Sequence, residues 1–357
     1  MSYVIRGENW KLTYCVESAY GTDPGTALLV NSFGVVQTAS ISDPQIDYLP
    51  FWGMSTGQMR NWWVTYKGKI TLSMSIPDII LLNGAPLFLP LGACATTGTN
   101  PYTHTMTETY DLPTITTHVT YTDTNSSNVI MRRFCGGKVG RATYTATEGG
   151  FLTMSLDDIQ FKNLYNKILD PDVGTVDTTA PWYSVNVADV TPSYPCTQPY
   201  LFSYGALTLN GTEFARIREF RLSVDNALDA KYYVTDNAIS QLPYEHREGR
   251  RQYQMSVTTD IEDARLYREL IRQGTYSNVY TGFTAKMVFT RGSNDTITFT
   301  LPPSYSVACG GGNMGCLIKS APHNIVSDPL VGVSLDIMTR SLGIISVDAV
   351  STYSGST

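Results

Sequence analysis

The stretch Glu148–Gln160, EGGFLTMSLDDIQ, returns in altered spelling as Ser327–Thr339, SDPLVGVSLDIMT. Ser155-Leu156-Asp157 and Ser334-Leu335-Asp336 hold the same place in each, 179 positions apart. Two further pairs follow in the same order. KITLSMSIPD (Lys69–Asp78) reads like RQYQMSVTTD (Arg251–Asp260), with Met74 and Met255 181 positions apart. VTYTDTNSSNVIM (Val119–Met131) reads like MVFTRGSNDTITF (Met287–Phe299), with Tyr121 and Phe289 168 positions apart. Each member of this last pair is two alternating runs around a Ser/Asn-rich turn, which is a hairpin signal. The offsets vary only as loop insertions would make them, so an internal duplication is expected.

Each copy is expected to be a mostly antiparallel sandwich or barrel-like β unit with one α-helix. In the second copy DIEDARLYRELIRQG opens on Asp260-x-x-Asp263, places Ala264, Tyr267, Leu270 and Ile271 on one face and stops at Gly274. In the first, Ser75-x-x-Asp78 with Pro77 predicts a shorter helix ending at Asn83-Gly84. FSYGALTLNG and FARIREFRLSVDN, joined at Asn210-Gly211, predict a hairpin.

The 357 residues suffice for two cores. The division expected is a first domain over 1–165, a Pro/Asp/Thr-rich connector over 166–200 and a second domain over 201–357. Only 16% of residues are charged, and Thr, Ser, Tyr, Val and Gly abound, a β-sheet balance. The formal charge of −6 argues against gripping nucleic acid through phosphates. MSYVIRGENW lacks the basic and apolar regions of a secretory signal, so a cytosolic origin is expected. The apolar run from Ile79 is broken by Asn83, Gly84, Pro86 and Pro90, which suits a core segment and not a membrane span. The six cysteines contain no C-x-x-C pair and read as free thiols.

Candidate chemistry is sparse. His104, His118, His246 and His323 lack metal-ligand spacing and read as surface or hydrogen-bonded residues. ACGGGNMGC, from Ala308, lacks the Lys-Ser/Thr ending of a phosphate loop and reads as a loop tip. Asp157 and Asp158 are adjacent, so as strand residues they point to opposite faces and do not form a catalytic carboxylate pair. No G-x-S-x-G occurs, and three glycosylation sequons would matter only on a secretory route. No catalytic, cofactor or metal residue is predicted. The loop Tyr48–Trp63, YLPFWGMSTGQMRNWW, is more informative, because Tyr48, Phe51, Trp52, Arg60, Trp62 and Trp63 are interface-type residues. It either folds on its own domain or makes an inter-subunit or inter-ring contact. Its counterpart, Asn237–Arg250, brings Tyr244 and Arg247.

YCVESAYGTDPGT (Tyr14–Thr26), LTLNGTEFARIREFRLSVDN (Leu207–Asn226) and YEHREGRRQYQMSVTTDIEDARLYREL (Tyr244–Leu270) together resemble the tail tube proteins of tailed phages, in order over most of the chain. The aromatic loop and apolar helix of the first half depart from that pattern. The resemblance implies a structural virion protein, not an enzyme, that is assembled in the host cytoplasm. It implies rings stacked into a hollow tail tube, with tape measure, baseplate or tip, and terminator proteins as partners. Viral DNA would pass through the lumen without specific binding, and no membrane insertion is implied. If single-domain relatives form sixfold rings, a duplicated chain closes a ring with three copies. In TEFARIREFRLSVDN, Phe220, Leu222 and Val224 share one face and Glu219, Arg221, Ser223 and Asp225 the other, which makes the latter candidates to face the lumen. A different tail component or a β-sandwich glycan-binding protein are the alternative readings.

Overall fold

The structure, a computed structural model, describes residues 5–25, 29–42, 44–51, 64–123, 129–169, 190–195, 197–209, 211–214, 217–233, 241–260, 283–292, 294–302, 315–321, 323–324 and 332–353. Among them the chain is all strand, turn and short 3₁₀ segment, with no α-helix. The helix expected from Asp260 lies outside the described residues apart from Asp260 itself, which ends a strand. The helix expected over Ser75–Asn83 is corrected: Ser75–Ile80 continue the strand β4 (Val64–Ile80), Leu81–Asn83 leave it, and only a 3₁₀ turn, Ala85–Phe88, follows. Leu72, Met74, Ile76 and Ile79 are buried along that strand. Register shifts against both neighbours between Met74 and Ile79 absorb Pro77 as a bulge. A proline that cannot donate to a ladder is tolerated at such a bulge.

Eight strands run in one continuous antiparallel order: β2 (Val35–Ile41), β4, β9 (Thr153–Phe161), β8 (Val129–Thr147), β13 (Ile217–Asp225), β16 (Gln252–Asp260), β21 (Gly332–Thr339) and β19 (Leu317–Ser320). Side strands extend this sheet. β3 (Gln45–Phe51) pairs the start of β4, β20 (His323–Asn324) pairs β21, and β1 (Ile5–Val16), β7 (Ile115–Asp123) and β10 (Asn163–Leu169) join through the first part of β8. A second sheet orders β12 (Thr212–Phe214), β11 (Gly205–Leu209), β17 (Ala285–Thr290), β18 (Thr296–Leu301), β22 (Gly343–Asp348), β6 (Tyr102–Glu108) and β5 (Gly92–Thr97). A small hairpin joins β14 (Asp229–Lys231) and β15 (Glu245–Arg247). The turn at Gly211, φ 77°, connects β11 to β12, while β13 crosses to the first sheet.

The eight strands fall into two sets of the same order, β2-β4-β9-β8 and β13-β16-β21-β19. In the first set Ile76 lies opposite Leu156 and Met74 opposite Ile159. In the second Val257 lies opposite Leu335 and Met255 opposite Ile337. The extra residue between Leu156 and Ile159 is the bulged Asp158, φ 57°. The strand orders β1-β7-β8-β10 and β11-β17-β18-β22 correspond in the same way.

Alternation fixes which face is buried. Tyr253, Met255 and Val257 of β16 and Phe220, Leu222 and Val224 of β13 are buried, and the residues between them are exposed or half-buried. The second sheet packs on this apolar face: Tyr144 meets Phe299 at 5.1 Å between ring centres, and Phe220 meets Phe289 at 5.9 Å. The core is continuous across both halves of the chain. β8 pairs β7 and β10 along its first part and β9 and β13 along its later part, and between them Gly137 packs against Phe161, whose ring a Cβ would approach to 2.4 Å. Cys15, Cys94, Cys135 and Cys316 are buried and unbridged.

Candidate assembly site

The outermost strands of the eight-strand order, β2 and β19, each pair on one side only among the described residues. Val35, Gln37, Thr38 and Ser40 on β2 and Lys319 and Ser320 on β19 are exposed. An unpaired strand edge is a template for another strand. Inside the chain the corresponding edges are occupied: β8 pairs with β13, Tyr144 opposite Leu222 and Thr145 opposite Arg221.

The face turned away from the core is mostly polar, with Met338 exposed on it. Glu219 and Arg221 are exposed on it, and Ser223 and Asp225 half-buried. Arg141, Ser223, Asp225, Gln252, Gln254, Lys319, Asp336 and Met338, together with Tyr253, line a concavity of about 290 Å³. These residues come from five consecutive strands, β8, β13, β16, β21 and β19. The carboxylates there are held. Asp157 accepts from Ser75 Oγ at 2.7 Å and Ser155 Oγ at 3.1 Å, Asp225 pairs with Arg141 at 3.1 Å, and Asp336 accepts from Gln254 Nε2 at 2.9 Å. Asp157 and Asp158 do not sit in regular alternation as the sequence suggests, because Asp158 is the bulge. It accepts from Gln160, and burial raises its carboxyl above the usual range.

β3 and the start of β4 form a hairpin arm on which Tyr48 and Leu49 are 60% and 59% exposed. Phe51 ends β3, while Trp52, Arg60, Trp62 and Trp63 lie outside the described residues. The arm lies beside the loop that follows β14: Ile70 N donates to Gln241 O at 2.9 Å, and Lys69 Nζ sits 5.0 Å from the Tyr232 ring centre. Tyr244 is exposed and packs edge-on to Tyr233, while Arg247 pairs with Glu245. The part of β4 just past the first predicted loop therefore lies beside Gln241 of the second, a juxtaposition that their separation in the chain does not disclose.

Two buried polar clusters tie distant segments together. His104 Nδ1 lies 2.8 Å from Thr96 Oγ1, and Nε2 lies 3.2 Å from Asp348 and 2.9 Å from Val350 O, with Tyr353 stacked on the imidazole. Burial raises the Asp348 carboxyl, but the hydrogen bonds from His104 and Tyr353 outweigh it and hold its pKa below the usual range. His246 Nδ1 lies 2.7 Å from Tyr20 Oη, and Lys138 Nζ donates to His246 O and Glu248. Both histidines are buried and serve cohesion across the chain. Isolated histidines far from their partners give no sequence signal of this. Among the described residues no His/Cys/Asp/Glu group is placed to hold a metal, and no helix is long and apolar enough to cross a membrane.

No curated protein matches the sequence. A family model described as phage tail tube protein does, over residues 7–338, a span that takes in both strand sets and the loops at their end. The chain belongs to the phage tail tube protein family and is a structural, non-enzymatic component of the virion tail.

Proposed function

We propose that three copies close one ring, with the edge of β19 pairing with the edge of β2 in the next copy, and that the rings stack into a tube whose lumen is lined by the polar face. The observation that carries this reading is the β8·β13 pair. It joins the end of one four-strand set to the beginning of the next, and the same two kinds of edge recur, unoccupied among the described residues, as β19 and β2. Repeating an internal junction between chains removes every free edge of the inner sheet. The matched registers support an internal duplication and the division into units over 1–165 and 201–357 with a connector over 166–200. The concavity lined by Arg141, Asp225, Lys319 and Asp336 supports a closed barrel with Glu219, Arg221, Ser223 and Asp225 facing the lumen.

In this reading the arm carrying Tyr48, Phe51, Trp52, Arg60, Trp62 and Trp63, and the adjoining Tyr244 and Arg247, contact the neighbouring ring. The tube meets tape measure, baseplate or tip, and terminator proteins, and viral DNA passes through it during ejection without specific binding. Electron microscopy of the purified protein tests the proposal: hollow tubes or stacked rings are expected. Capped single rings would favour a different tail component, and monomers with sugar-dependent melting would favour glycan binding.

A further inference from the structure

We infer that β10 carries a second seam between chains: its open edge, in the layer packed on the eight-strand sheet, is occupied by the second half of the neighbouring copy whose β19 meets β2. The inference rests on the ring reading, which sets copies side by side in one wall.

The junction inside the chain shows what a seam consists of. It has two ladders and not one. In the first sheet β8 pairs with β13. In the sheet packed on it, β6 reaches from the first half and pairs with β22 over Ile344–Asp348, Ile344 opposite Met106 and Ser346 opposite His104.

β10 holds the place of β22 in the first half. Tyr121, Ile130 and Ile168 lie in one row across β7, β8 and β10, as Phe289, Ile297 and Ser346 do across β17, β18 and β22. Two positions along, Val119, Arg132 and Asn166 match Met287, Phe299 and Ile344. Asn166 and Ile168 therefore correspond to the two residues that β6 meets on β22. This layer packs on the eight-strand sheet as its counterpart does: Phe134 of β8 meets Phe161 of β9 at 5.1 Å between ring centres, and Leu164 of β10 is buried in the common core.

Among the described residues β10 pairs with β8 alone. Its edge is also unguarded. The register with β8 runs unbroken from Asn163 to Leu169, and the strand holds no proline and a single charge, Lys167. Strand edges that stay in solvent are commonly short, bulged or interrupted by proline and charge. The side of the ring it faces follows from the internal junction. β22 and β13 belong to one half and both meet the half that supplies β8, so β10 and β2 should both meet the half that supplies β19. One ladder leaves such a junction free to hinge, whereas two, in layers about 10 Å apart, fix the angle between neighbouring units.

Hydrogen exchange in intact tubes, read amide by amide along Asn163–Leu169, is the first test. An antiparallel edge turns every second amide outward. Consecutive amides should be protected alike, whereas an open edge would let every second one exchange at least about tenfold faster than its neighbours, the worth of one missing hydrogen bond, and would overturn the inference. The second test identifies the cover. Tubes carrying Tyr165→benzoylphenylalanine are irradiated, and the linked peptides are read by mass spectrometry. Two chains joined through residues 201–357 of the partner are expected. Links confined to one chain, links to residues 1–165 of another, or none would overturn the inference. A disulfide that still forms between Ser40→Cys and Asn324→Cys of adjacent chains would then leave the ring reading standing, and its absence as well would overturn both.

Discussion

Arg141 on β8 pairs with Asp225 on β13 at 3.1 Å, across the one strand pair that joins the two four-strand sets in a single chain. Both side chains are about half exposed, 57% and 42%, so the ion pair is worth on the order of 0–1 kcal/mol. The junction is held instead by its backbone ladder and by the aromatic layer beneath it. Arg141→Ala should therefore move the urea midpoint little. Phe220→Ala, which empties the contact with Phe289 and Phe299, should cost about 3–5 kcal/mol.

The proposed junction between chains can be tested residue by residue. Ser40 lies opposite Ser75 as Arg221 lies opposite Ser256, and Asn324 lies opposite Gly332 as Thr145 lies opposite Thr153. Since Arg221 faces Thr145 inside the chain, Ser40 should face Asn324 between chains. A chain with Ser40→Cys and Asn324→Cys should, after mild oxidation, run on non-reducing gels as a covalent three-chain species, and either change alone should not. The native cysteines described are buried and offer no competing bridge.

Tyr48 and Leu49 are exposed on the hairpin arm, where one chain alone gives them little cover. Replacing both with serine should shift stability by no more than about 0.5 kcal/mol. Tube formation, read by electron microscopy, should nevertheless fall sharply while a folded ring persists. Unimpaired tubes would remove the arm from the stacking contact.

Acid sensitivity should arise at His246. Burial first, and then the charge of Lys138, lower its pKa from 6.5 to about 4. A base with a depressed pKa stabilises the fold while it stays neutral. Stability is therefore full above about pH 6.5 and declines toward pH 4 as the unfolded chain takes up the proton first. At about 1.4 kcal/mol per unit the loss is on the order of 3 kcal/mol. His246→Gln should flatten this part of a stability-against-pH curve measured by chemical unfolding.

Much of the architecture is legible in the sequence because strand alternation is local. Phe220, Leu222 and Val224 announce the buried face of β13, and the Met-Ser and Ser-Leu-Asp matches announce strands that prove to be paired neighbours. β4 misleads because Pro77 and the bulge beside it break period-two alternation just where Ile76, Ile79 and Ile80 also fit a helix face. The hairpin of β5 and β6 gives no sign that it extends the sheet of β22, since that pairing joins Met106 to Ile344. The clusters around His104 and His246 are likewise products of the tertiary fold. The polar face of β13 reads directly from its sequence, whereas its cross-strand neighbours on β8, Thr145 opposite Arg221 and Arg141 paired with Asp225, are visible only in the assembled sheet.

The number of chains in one ring tests the central claim most directly. Rings released from tubes at low protein concentration can be weighed by native mass spectrometry, with the rotational symmetry of tube images as an independent check. The account predicts three chains per ring and sixfold pseudo-symmetry in the wall, with Met74 and Met255 at alternating equivalent positions. Six chains per ring, with only one of the two strand sets lining the lumen, would contradict it.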